Sequence, residues 1–212
     1  MRKDQIIKNV KQFIDNTLKD ETTGHDNWHA IRVYRVAKEI NKKERGDDFV
    51  ICVSALLHDI VDRKMSRPYT FQKLDELLEK FGICENDIKE IMFVIKYVSF
   101  SSKQPRKKSL ELKIVQDADK LDALGAIGIA RTFAYGGKDN RKIYDPDLKP
   151  NKRFSKQRYK LNKGHSINHF YEKLLKLKDL MNTKTGRKIA KERHRFIENF
   201  LTEFLNEWQA KV

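Results

Sequence analysis

Cysteine is almost missing from this chain: Cys52 and Cys84 are the only two among 212 residues. Two thiols cannot build the disulfide framework of a small secreted domain, so a reducing compartment is expected. No apolar run reaches the roughly 18 residues that a membrane-spanning helix requires. The opening stretch, MRKDQIIKNVKQF, has no long apolar core, so no signal peptide is expected and the expected location is the cytoplasm. No segment alternates apolar and polar residues beside a hairpin turn signal, and no stretch repeats, which leaves sheet-built and repeat architectures without support.

What remains is helical periodicity nearly from end to end. KDQIIKNVKQFIDNTL places Ile6, Val10, Phe13 and Ile14 on one stripe, and NWHAIRVYRVAKEI does the same with Val33, Val36, Ala37 and Ile40. Asp26 is placed to cap that second helix, and Asp47 or Asp48 to start the next. YTFQKLDELLEKFG stops at Gly82, a natural C-terminal cap. LELKIVQDADKLDALGAIGIARTFAYGG gives one or two helices, and HSINHFYEKLLKLKDLM and TGRKIAKERHRFIENFLTEFLNEW are both amphipathic. The fold class is therefore all-α. One stretch breaks the pattern: residues 138–163 hold ten Lys or Arg, three Asp, Pro146 and Pro150, with little apolar periodicity. A loop of that length in a compact domain is usually a lid, a binding loop or a disordered segment. The expected organisation is a helical core over 1–137, a basic irregular loop or lid over 138–165, and C-terminal helices over 166–212 packed on the same domain.

Lys and Arg total 45 against 30 Asp and Glu, a net charge of +15. Such an excess suits a polyanionic ligand such as a nucleotide, nucleic acid or an acidic membrane surface, with plain solubility as the other reading.

From Phe49 to Leu57 a single residue, Ser54, is polar, and then His58 and Asp59 arrive side by side. Burying an unpaired charge is costly, so something should meet them. His29 shares the stripe of Val33, Val36 and Ile40, so a second imidazole faces the core. In IVQDADKLDALG, Ala118, Leu121, Asp122 and Gly125 share a face, with Asp119 at its margin. Each of these could be a satisfied buried polar group. Together, two neutral imidazoles and two carboxylates balance one divalent cation. A set without thiolates and rich in oxygen suits Mn²⁺, Fe²⁺ or Mg²⁺ as well as Zn²⁺. Spacing alone leaves Asp119 and Asp122 as alternatives, and Asp117 reads as a helix-surface residue.

GHDNWHAIRV, ALLHDI and QDADKLDALGAIG, in that order and each in helical context, resemble the HD-domain superfamily of metal-dependent phosphohydrolases, in particular its small bacterial members. The resemblance covers most of the chain and makes residues 1–137 the HD-domain core. It implies one divalent metal ion, Mn²⁺ favoured over Fe²⁺, Mg²⁺, Ni²⁺ or Zn²⁺, held by His29, His58, Asp59 and Asp119. It offers Asp62 as an acid or base, although aspartate stands where many relatives carry glutamate. His25, Arg32 and Asp122 are expected to touch substrate or to hold a ligand in place. The implied activity is hydrolysis of a nucleotide or other small phosphate ester, with nucleoside triphosphate pyrophosphohydrolysis as the specific form. The alternative is an HD-fold module that binds a nucleotide or nucleic acid with little turnover. A membrane partner is not expected, and nucleic acid is not favoured because no base-stacking motif is present.

Overall fold

The structure is a computed structural model that describes residues 2–18, 26–62, 69–99, 104–151 and 164–211. His25 and residues 152–163 of the basic stretch lie outside the described residues. Among those described there are nine α-helices, one 3-10 helix and no strand, which bears out the all-α expectation. No described helix is long and apolar enough to cross a membrane. Both thiols are free, Cys52 buried and Cys84 exposed. The chain packs as two compact units, Met1–Asp119 with Asn182–Gly186, and Lys120–Met181 with Arg187–Val212.

The first unit is built around α3 (Asp48–Leu57), in which every residue from Phe49 to Leu57 is buried. Helices α1 (Lys3–Thr17), α2 (Asn27–Glu44) and α5 (Glu85–Val98) pack on it, and α4 (Phe71–Lys80) packs on α5. A helix apolar all round can only sit in such a centre. Full burial of Ile51, Leu56 and Leu57 contributes roughly 1.5–3 kcal/mol each as an upper estimate.

Polar ends fix where these helices begin and stop. Asp26 accepts from the backbone N–H of His29 at 2.7 Å, and Asp47 from that of Val50 at 3.0 Å; both are the N-caps expected. Such caps are worth about 1 kcal/mol. Gly82, at φ 73°, terminates α4 by donating its N–H to the Glu79 carbonyl. Helix α6 (Leu110–Asp122) buries Leu112, Ile114, Val115, Ala118 and Leu121.

The second unit contains α7 (Gly125–Lys138), α8 (Ser166–Glu172) and most of α9 (Lys184–Trp208). Fully buried Phe170 packs there against half-buried Phe133 and Phe200, with ring centroids 5.8–6.0 Å apart. Residues 139–151 form turns and irregular chain. The amphipathic segment HSINHFYEKLLKLKDLM forms α8 followed by a 3-10 helix, Leu174–Leu180. Leu174 and Leu177 are the buried residues of that 3-10 segment, and a three-residue turn puts positions three apart directly in line.

Candidate metal centre

Three elements of the first unit deliver the imidazoles and carboxylates. His29 sits in the first turn of α2, behind the Asp26 cap, and is 2% exposed. His58 follows the last residue of α3 and is 3% exposed. Beyond it the chain turns tightly, with the Asp62 N–H donating to the Asp59 carbonyl at 2.8 Å. Asp119 enters from α6, its side chain one-third exposed.

The atoms converge. Nε2 of His29 and Nε2 of His58 are 3.2 Å apart. Oδ2 of Asp59 is 3.3 Å from the first and 3.2 Å from the second. Oδ1 of Asp119 is 3.6 Å and 3.8 Å from the same two nitrogens. His29, His58 and Asp119 each offer one ligand atom within 4.8 Å of the others. Two donors at right angles about an ion with bonds of roughly 2.1 Å are about 3.0 Å apart, so this set could hold a divalent cation.

The tautomer of His58 suits the role. Its Nδ1 lies 2.9 Å from the Ala55 carbonyl. A carbonyl only accepts, so Nδ1 carries a proton, and Nε2 is the nitrogen that bears the lone pair when the ring is neutral. Burial opposes protonation of this ring, but Asp59, helped by Asp119 and the Ala55 carbonyl, outweighs burial and raises its pKa to about 9. The carboxylates therefore draw positive charge to the point where the imidazole nitrogens meet.

The other residues singled out in the sequence fall as follows. Asp62 lies just past the turn that carries Asp59 and is partly exposed; Arg32 is one turn beyond His29 on α2, also partly exposed. Asp122 is 2% exposed and accepts from Arg131 at 2.6 Å. Of the two aspartates that spacing left open, Asp119 is thus the one near the imidazoles, while Asp122 is engaged by a guanidinium. Asp117 corrects the sequence reading: far from lying on the helix surface, it is fully buried and bonded to Asn182 and Thr183. The Gln116 side chain was also missed. It is 2% exposed, donates to the Tyr97 carbonyl and the Gln104 side chain at 2.8 Å each, and accepts from Lys108 at 2.8 Å.

Residues 28–124 match the HD domain family model. Over the whole chain the sequence is 34% identical to Bacillus subtilis YpgQ, covering 96% of that protein. Among solved structures, an HD-superfamily hydrolase from Bacillus thuringiensis is 41% identical, with 99% of this chain and 100% of that one covered at a TM-score of 0.79. The structure of Bacillus subtilis YpgQ in complex with ADP matches over 97% of both chains at 33% identity and a TM-score of 0.76. The chain belongs to the HD-domain superfamily.

Proposed function

We propose that this protein is a metal-dependent phosphohydrolase acting on nucleotides, with cleavage of a nucleoside triphosphate to the monophosphate and pyrophosphate as its reaction. The observation that carries this reading is the meeting of His29, His58, Asp59 and Asp119 at 3.2–3.8 Å around one point. Support for a nucleotide comes from the relative YpgQ, whose structure contains ADP, and from the net charge of +15, which suits a triphosphate better than a monophosphate.

His29, His58, Asp59 and Asp119 would hold the ion, Mn²⁺ in first place. Such an ion supplies Lewis-acid charge for a phosphoryl oxygen and for the ionisation of water near neutral pH. The chain's own residues do the rest. The Ala55 carbonyl fixes the His58 ring, and the Asp26 cap fixes the first turn of α2 that bears His29. Asp62, just past the turn that carries Asp59, is our candidate to pass a proton. Arg32 is our candidate to offset phosphate charge, while Asp122, through its pair with Arg131, holds its own helix end in place.

The test is a panel of nucleoside tri-, di- and monophosphates with Mn²⁺, read for pyrophosphate and phosphate separately, with and without a chelator. Pyrophosphate from a triphosphate, abolished by chelation, is the expected result. Phosphate alone would replace the pyrophosphohydrolase reading by that of a nucleotidase. Tight nucleotide binding with no product would leave a binding module.

A further inference from the structure

Asp117 precedes Asp119 by two residues on α6 and is completely shielded from solvent. Its carboxylate accepts from four uncharged donors on a segment about 65 residues further along the chain. They are the Asn182 backbone N–H (2.8 and 3.0 Å to the two oxygens), the Asn182 side-chain amide (2.8 Å), the Thr183 N–H (2.7 Å) and the Thr183 hydroxyl (2.8 Å). Gly186 closes the nest: a Cβ there would lie 2.5 Å from Oδ2 of Asp117 and 2.8 Å from Oγ1 of Thr183. The segment is anchored again where the Thr185 N–H donates to Glu44 at 2.8 Å and where Lys108 donates to the Asn182 side chain at 3.2 Å.

A buried carboxylate is an expensive way to hold a helix, since an apolar residue would pack there at less cost. What it adds is direction. Apolar contacts surround α6 through Leu112, Ile114, Val115, Ala118 and Leu121, and such contacts specify rotation about the helix axis only weakly. Hydrogen bonds are directional. Residues two apart in a helix point about 200° from one another, so Asp117 faces its loop while Asp119 faces the imidazoles. Rotating α6 by roughly 10° would shift a carboxylate carried about 5 Å from the axis by about 1 Å, and geometry that loose ruins a metal or catalytic site. The same rotation would pull Asp117 off its donors.

We propose that Asp117 is a positioning residue: by locking the rotation of α6 against the 182–186 segment, it holds Asp119 toward His29 and His58. This rests on the reading of those residues as a metal centre. The test is the Mn²⁺ dissociation constant, measured by calorimetry well below the unfolding temperature. Asp117→Asn sets an amide against backbone N–H donors; it should raise the Kd by roughly 10 to 100-fold with native far-UV circular dichroism. Val10→Ala, a core change in α1, should lower Tm and leave the Kd unchanged. Thr183→Val should weaken Mn²⁺ binding less than Asp117→Asn, and Thr183→Ser should restore wild-type affinity. If Asp117→Asn fails to fold, the Thr183 pair decides: equal Kd for Val and Ser overturns the proposal. A folded Asp117→Asn with lowered Tm and wild-type Kd also overturns it, making Asp117 structural only. Absence of Mn²⁺ binding by the unaltered protein removes the metal centre and this inference together, whereas loss of the difference between variants removes the inference alone.

Discussion

Nε2 of His29 and Nε2 of His58 face each other across 3.2 Å of protein interior, although one residue lies in α2 and the other just past the end of α3. Two buried lone pairs at that distance repel unless a cation or a proton lies between them. His29→Ala should therefore lower Mn²⁺ affinity by at least about 10 to 100-fold while the helical circular dichroism is kept. Metal content after dialysis checks it. Wild-type metal content in the variant would remove His29 from the centre.

Asp119→Asn and Asp122→Asn should part company. The first alters an oxygen 3.6 Å from His29 and should weaken Mn²⁺ binding. The second disturbs the 2.6 Å pair with Arg131, in a carboxylate 2% exposed. It should retain Mn²⁺ binding and lose roughly 1–3 kcal/mol of stability. Calorimetric titration and urea unfolding of both variants separate the two outcomes.

Asp59→Asn and Asp62→Asn form a second pair. Asp59→Asn removes one unit of charge 3.2 Å from His58, so metal affinity should fall and turnover at saturating Mn²⁺ should drop by about 10 to 100-fold or more. Asp62→Asn should bind Mn²⁺ normally and lose about 10² to 10⁴ in rate, with one limb of the pH–rate profile flattened. A wild-type rate for Asp62→Asn would make Asp62 a bystander.

His169 makes the second unit acid-sensitive. Burial, then the charges of Lys173 and Arg141, push its pKa down from 6.5 to about 3. Between those values the unfolded chain binds a proton that the folded chain does not. Stability should thus be intact above pH 6.5 and fall as pH drops below it, by at most about 1.4 kcal/mol per pH unit from this group. Urea unfolding of the wild type and His169→Gln from pH 7 to 4 checks it; the variant should show the shallower slope.

Two glycines of α7 should respond to alanine with opposite signs. Gly125 has φ 71°, and a Cβ there would press on the Arg193 side chain at 3.2 Å. Gly125→Ala should cost about 1–3 kcal/mol. At Gly137 a Cβ would have open space, with no atom within 4 Å, so Gly137→Ala should gain roughly 0.5–1 kcal/mol. Thermal unfolding of both variants measures the difference.

Helix positions and caps were legible in the sequence because they depend on residues a few places apart. Asp26, Asp47 and Gly82 act on their own turns, and the His29 stripe follows from 3.6-residue spacing. The order of His29, His58-Asp59 and Asp119 was legible as a pattern as well. Asp117 was not. α6 is buried on several faces, so periodicity cannot tell which way a given aspartate points, and its donors come from Asn182 and Thr183, far along the chain. The choice between Asp119 and Asp122 failed on periodicity for the same reason; it needed the position of Arg131. The change from α to 3-10 winding at Lys173 was hidden because LLKLKDL satisfies either period.

The Asp117 nest also sets an order of assembly on the ribosome. The carboxylate emerges about 65 residues before the donors that complete its shell. At translation rates of roughly 5–20 residues per second, the nascent chain waits about 3–13 s for them. Until Asn182 and Thr183 arrive, α6 carries a charged group that its final burial does not permit, so the helix must stay wet. The first unit is therefore finished only after residues 120–181 of the second unit have been made, and its aspartates reach their places no earlier.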